Sequence, residues 1–137
     1  MAAKKLVIIT GASSGIGAAT AKAFSEQGHP LLLIARRVER CEALGLPQTL
    51  CEKVDITDAA AVNAAVAKAE AQYGPAECIV NNAGVMLLGT VDKQDPKEWE
   101  TMLQVNVTGV LNGIKACING MLERGSGTVV NVSSVAG

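Results

Sequence analysis

A stretch near the start, Leu6 to Gly17, reads LVIITGASSGIG and constrains the fold more than any other part of the sequence. Leu6, Val7, Ile8 and Ile9 form a continuous apolar run, partly β-branched, as in a strand covered on both faces of a parallel sheet. Beyond a turn, Ile16, Ala19, Thr20, Ala23 and Phe24 recur at helical spacing and predict the mostly apolar face of an amphipathic helix. Between strand and helix stand Gly11, Gly15 and Gly17, where a missing Cβ permits positive φ and lets the backbone come close to a bulky anion. Free N–H groups at the helix start, helped by the macrodipole, favour a pyrophosphate there. The spacing is Gly-x-x-x-Gly-x-Gly, not the commoner Gly-x-Gly-x-x-Gly, and a tight turn with no ligand is the alternative at this point.

The rest of the chain alternates strands and helices. Gln27-Gly28-His29-Pro30 breaks the first helix, and Leu31 to Ala35 reads as a second apolar strand. Val38 to Leu44 predicts a short helix, and Leu50 to Val54 a third strand. Asp58 caps a helix in which Val62, Val66, Ala69 and Tyr73 share a face, and Gly74-Pro75 stops it. Cys78 to Val80 is a fourth strand, and Asp95-Pro96 opens a helix through Trp99 and Met102. A separate helix over Val107 to Leu122 places Val107, Val110, Leu111, Ile114, Ile118, Met121 and Leu122 on one stripe, before a fifth strand over Thr128 to Val132. Such alternation implies βαβ units and a doubly wound parallel α/β sheet.

Length and composition narrow the function classes. A chain of 137 residues accommodates one domain, taken as 1–137, with a real core. With 49% hydrophobic and 18% charged residues it is not a disordered chain, yet no apolar run approaches the roughly 18 residues of a membrane span. The net charge is −1 and no basic block occurs, which argues against nucleic acid or a membrane surface as partner. The short apolar run after Lys4-Lys5 does not make a secretory signal, so the cytoplasm is the expected location. Cys41, Cys51, Cys78 and Cys117 show no Cys-x-x-Cys pairing, and the single histidine, His29, lies in a breaker; free thiols and no metal are expected.

Four motifs in order carry a family resemblance. Thr10-Gly11-Ala12-Ser13-Ser14-Gly15-Ile16-Gly17 resembles the cofactor motif of the short-chain dehydrogenase/reductase family. Asn81-Asn82-Ala83-Gly84, Asn106 within Val105-Asn106-Val107, and Asn131-Val132-Ser133-Ser134 follow in the family's sequence order. The resemblance implies a Rossmann-type fold and hydride transfer between a nicotinamide cofactor and a small carbonyl compound or secondary alcohol. At the end of the second strand, Ala35-Arg36-Arg37 has no acid until Glu39, which favours NADP(H) over NAD, with Arg36 and Arg37 on the 2′-phosphate. Ser13 and Ser14 are added donors to phosphate or ribose. By resemblance, Asp55 and the backbone of Ile56 meet the adenine, and Asn82, Ala83 and Gly84 lie beside the ribose. Asn81 is expected to hold the sheet together. Asn106 resembles the active-site asparagine whose backbone carbonyl holds a relay water, and Ser134 the serine that hydrogen-bonds the substrate carbonyl, with Ser133 supporting.

In this family the general acid/base is a tyrosine of a Tyr-x-x-x-Lys pair downstream of that serine. The sequence ends three residues after Ser134, and its single tyrosine, Tyr73, lies mid-chain on a helix stripe. The expectation is therefore the N-terminal part of a reductase or a shortened gene product, with the sheet truncated after about the fifth strand and inactive alone. An exposed fifth-strand edge and association through the long helix, as in homo-oligomeric relatives, are also expected, with Gly109, Gly113 and Gly120 either permitting that approach or seating the helix on the sheet. Two further readings stand beside this one: a non-catalytic nucleotide-binding or interaction module, and an epimerase or dehydratase, against which the Asn-Asn-Ala-Gly and Ser-Ser motifs argue.

Overall fold

The computed structural model describes residues 3–135; Ala136 and Gly137, which follow Ser134 and Val135 in the fourth motif, lie outside them. Strand β1 (Leu6–Thr10) is the centre of a five-stranded parallel sheet in the order β3-β2-β1-β4-β5. The other strands are β2 (Leu31–Ala35), β3 (Thr49–Lys53), β4 (Ala76–Asn81) and β5 (Thr128–Asn131). All of β1 is buried because it has a neighbour on each edge and helices on each face. Leu6 and Ile8 join Leu32, Ile34 and Ile79 beneath α3 (Ala59–Tyr73) and α5 (Gly109–Arg124). Val7 and Ile9 join Leu31, Leu33 and Val80 beneath α1 (Gly15–Glu26) and α2 (Val38–Glu42). Each fully buried aliphatic side chain contributes about 1.5–3 kcal/mol, so the continuous apolar runs of β1 and β2 dominate the stability of the sheet.

The helix boundaries follow local chemistry. The Asp58 carboxylate accepts the Ala61 N–H at 3.0 Å and caps α3, and Gly74, at φ 87°, stops it. Asp95 accepts the Lys97 N–H at 2.9 Å to start α4 (Pro96–Leu103), with proline at its first position, where no N–H is needed. His29 belongs to the turn before β2, as expected; its Nδ1 meets the Lys5 carbonyl at 2.8 Å and its ring stands edge-on to Phe24.

Three expectations are corrected or resolved. First, the buried face of α1 is not Ile16, Ala19, Thr20 and Ala23: Gly17 and Ala21 are buried, Phe24 partly, while Ile16 is 63% exposed. The helix presents its smallest residues where it comes closest to the turn and sheet. Second, the open alternative for the α5 glycines resolves toward the sheet: the sheet side is the seam Gly109, Gly113, Cys117 and Met121, while Val107, Leu111 and Leu122 of the stripe are half-exposed or more, as association through the helix would need. A Cβ at Gly109 would strike Ile56 at 2.7 Å and one at Gly113 would strike Asn81 Oδ1, so these two glycines seat the helix on the sheet. Third, α4 and α5 are not separate. A π-helical turn, Gln104–Thr108, joins them, with the Gly109 N–H bonded to the Gln104 carbonyl five residues back. The strand ends differ slightly from expectation: β3 starts and stops one residue early and β5 stops at Asn131. Strand β5 is an exposed edge, as expected.

Candidate nucleotide-binding site

At the carboxyl ends of β1 and β4 the chain is stitched together by one hydroxyl. Thr10, buried at the end of an apolar strand, accepts the N–H groups of Asn82 and Ala83, both at 3.0 Å. Asn82 Nδ2 in turn donates to the Gly11 carbonyl at 3.0 Å, and the Gly11 N–H donates to the Ile34 carbonyl at 2.9 Å. The turn is thereby fixed between β2 and β4, on either side of β1, which is where such sheets reverse their winding and open a crevice for ligands. Two of its glycines are required by close approach. A Cβ on Gly11 would lie 2.7 Å from Ala83 Cα, and one on Gly17 would collide with the Gly11 carbonyl oxygen.

The start of α1 is left open. Ser14 precedes it in extended backbone, makes no side-chain capping bond, and no acidic residue stands in the first turn. The first helical bond runs from the Ala18 N–H to the Ser14 carbonyl, so the N–H groups of Gly15, Ile16 and Gly17 have no helical acceptor. α3 and α4, by contrast, are closed by their own aspartates. An uncapped, acid-free helix start behind a glycine turn is chemically suited to a phosphate.

A cleft of about 330 Å³ opens beside this turn. Gly11, Ser13, Ser14, Arg36, Arg37, Asp55, Ile56, Ala83 and Gly84 line it, drawing on the ends of four strands. Gly15, Ile16 and Gly17, which open α1, and Asn82, just past β4, do not line it, and the Asn82 amide is engaged in bracing the glycine turn. On the opposite wall Asp55 accepts the Thr57 N–H at 3.0 Å and the Thr57 hydroxyl at 2.8 Å. Those bonds, together with the positive charge of Arg36, hold its carboxyl below the usual range. Asn112 of α5 donates to the Ile56 carbonyl at 2.9 Å and fixes that wall to the helix.

Asn81 and Asn106 act on the neighbouring framework. Asn81 Nδ2 donates to Asn131 Oδ1 at 3.0 Å, tying β4 to β5 as expected, while its buried Oδ1 rests against Gly113 without a hydrogen bond. Asn106, in the π-helical turn, donates to the Val85 carbonyl at 2.7 Å and accepts the Val85 N–H at 2.9 Å. This two-way bond pins the chain leaving the Asn-Asn-Ala-Gly segment. Ser134 follows β5, whose exit is held beside β4 by the Val132 N–H on the Asn81 carbonyl at 3.0 Å. Neither Asn106 nor Ser134 lines the cleft itself. Tyr73 ends α3 on the side leading into β4, the rim opposite the glycine turn.

Several participants had weak or no sequence signal. Thr10 headed the glycine motif, but its role as a double acceptor had no signal beyond a polar residue closing an apolar strand, where burial demands a partner. Arg40, Val54, Val85 and Val105 also line the cleft; of these, Arg40 alone stood at helical spacing from a residue already singled out, Arg37. All four cysteines are free, and burial pushes Cys41 up to about 11 and Cys117 up to about 12. Among the described residues no group of histidine, cysteine and acidic side chains could hold a metal, and no helix is long and apolar enough to cross a membrane.

Comparison with known proteins places this geometry in a family. The chain is 41% identical over 137 residues to an uncharacterized oxidoreductase of Staphylococcus saprophyticus, covering 97% of this chain and 56% of that protein. It is 35% identical to an NADP-dependent 3-hydroxy acid dehydrogenase of Salmonella typhi, over 96% of this chain and 55% of the relative. Among solved structures, the closed form of a serine dehydrogenase complexed with NADP+ superposes with a TM-score of 0.91 at 32% identity, over 96% of this chain and 55% of that one. The chain thus spans about half the length of the relatives it matches. The family model for short chain dehydrogenases matches residues 5–137, and together with the Rossmann-type sheet and its glycine turn this makes the chain a member of the short-chain dehydrogenase family.

Proposed function

We propose that these residues are the NADP(H)-binding part of an oxidoreductase that interconverts a small carbonyl compound and a secondary alcohol. The observation that carries the reading is the cleft itself: Arg36 and Arg37 stand at its edge where β2 ends, with no acid at that strand end to take a ribose 2′-hydroxyl. Guanidinium pairs suit a phosphate, with charge-assisted hydrogen bonds in a planar fork. The names of relatives support the same cofactor, one being NADP-dependent and one solved with NADP+. In this reading the open start of α1 takes the pyrophosphate, with Ser13 and Ser14 as additional donors and Gly15, Ile16 and Gly17 supplying N–H groups. Asp55 and the Ile56 backbone take the adenine edge, and Ala83 and Gly84 the ribose, with Asn82 positioning the turn. NADPH, when bound, supplies the hydride.

Ser134 is assigned to the substrate oxygen and Asn106 to a relay water at its backbone carbonyl. Asn106 lies within the π-helical turn, an irregularity frequent at functional sites, and this supports the second assignment. The single tyrosine is on the opposite rim, and the expectation for these 137 residues by themselves is weak or no NADPH binding and no turnover. The half-exposed to exposed side chains Leu103, Val107, Leu111 and Leu122 along one continuous helix support homo-oligomerisation, and we place the protein in the cytoplasm. Equilibrium titration with NADPH and NADH tests the reading. NADPH is expected to bind at least about tenfold tighter, and Arg36→Met to erase the difference. Equal affinities, or a preference for NADH, would refute it.

A further inference from the structure

We propose that Arg40 is a third guanidinium of the 2′-phosphate site and sets how strongly the protein prefers a 2′-phosphorylated nucleotide. This rests on the reading that the cleft holds NADP(H). Arg37 caps the short helix α2, and the Arg40 N–H donates to the Arg37 carbonyl at 3.1 Å. That turn brings the two arginines to the same side, and Arg36, Arg37 and Arg40 all line the cleft. The acids of the same segment are not there: Glu42 lines a separate cavity with Cys41 and Cys51. Among the described residues the ion pairs are Lys5–Glu77 and Lys68–Glu52, so none of the three guanidiniums is neutralised by an acid.

Three like charges on one cleft repel one another, Asp55 offsets only one of them, and a bound anion would relieve the rest. The charge count identifies which anion. Asp55 is the one carboxylate among the cleft-lining residues, held ionised chiefly by the Thr57 N–H and hydroxyl. A phosphate monoester carries about −1.5 to −2 near neutral pH. Three guanidiniums balance that dianion together with Asp55; two would leave the loaded site net negative. Arg40 is exposed and away from the turn that positions the pyrophosphate, so it can be changed without disturbing the rest of the site.

The test uses the full-length protein with two probes, adenosine 2′,5′-bisphosphate and adenosine 5′-monophosphate, titrated calorimetrically at low and at raised ionic strength. Arg40→Met keeps the apolar stem and is expected to lose about fivefold of the preference for the bisphosphate while leaving monophosphate affinity unchanged. Raised ionic strength should shrink the wild-type preference more than that of the variant, and Arg40→Lys should restore most of it. If Arg40→Met keeps the full preference while Arg36→Met abolishes it, the NADP(H) reading stands and the role of Arg40 is overturned. If the wild type binds the two probes equally, both fail.

Discussion

Replacing Gly17 by alanine separates the two jobs a glycine does in this turn. The backbone at Gly17 does not need positive φ; the constraint is space, since an added Cβ would collide with the Gly11 carbonyl and lie 2.6 Å from Asn82 Nδ2. Gly11 cannot retreat, because its N–H is bonded to Ile34 and its α-carbon faces Ala83. Overpacking of this kind costs about 1–3 kcal/mol. Displacing the Asn82 amide from the Gly11 carbonyl adds about 1 kcal/mol. The expected loss is therefore about 3 kcal/mol, a large share of the ~5–15 kcal/mol that holds a domain together, and about 10 °C in Tm for a chain of this size. Gly15 offers the contrast. It has φ +54° and nothing within 4 Å of an added Cβ, so Gly15→Ala carries only the left-handed backbone penalty of about 1–2 kcal/mol. Thermal and urea unfolding of the two variants, followed by circular dichroism, decide the matter. A Gly17→Ala protein as stable as wild type, or less affected than Gly15→Ala, would refute the reasoning.

Three other perturbations read different parts of the structure. Gly113→Ala should destabilise by about 1–3 kcal/mol by driving a methyl into Asn81 Oδ1 and Ile79, and Asn81→Ala should relieve part of that cost; strictly additive losses in the double-mutant cycle would show the contact to be unimportant. Asn106→Ala removes both bonds to Val85, so amide exchange at Val85 and its neighbours should accelerate while β1 stays protected, and an unchanged rate would count against the tether. The buried thiols of Cys41 and Cys117 have folded-state values of about 11 and about 12, above the ordinary 9.0, so their contribution to stability is complete below pH 9.0 and is lost as the pH rises toward those values. Urea midpoints should fall over that window, and thiol-reactive dye should reach these two cysteines only on unfolding; a flat pH profile would contradict it.

The fold was legible wherever one physical signal acted alone. Leu6 to Ile9 and Leu31 to Ala35 are apolar throughout, and only a strand buried on both faces needs that. Asp58 and Asp95-Pro96 announced helix starts by local bonding. Faces were harder to read where hydrophobicity and space compete: the sequence left open whether Gly109 and Gly113 serve helix association or seat α5 on the sheet, and they take the sheet because nothing larger fits. Ile16 was misplaced for the same reason, with Gly17 seated instead. In the site, the glycines, Arg36, Arg37 and Asp55 carried local signals at strand ends, and the structure gathers the arginines and Asp55 on one cleft. The double acceptance by Thr10 and the brace from Asn112 were invisible, because each depends on which distant strand or helix becomes a neighbour.

The π-helical turn has a mechanical meaning beyond its hydrogen bonds. Each residue advances a helix by about 100°, so one surplus residue in Gln104–Thr108 resets the rotational phase between the two halves of the rod. Upstream, Trp99 of α4 donates to Gln94 of the preceding loop; downstream, the small residues of α5 must meet the sheet. Shortening the turn by one residue would give a smoother helix and swing Gly109, Gly113 and Cys117 away from Ile56 and Ile79, turning bulkier side chains inward. The irregularity therefore works as a gear offset, letting one uninterrupted helix obey two surfaces at once.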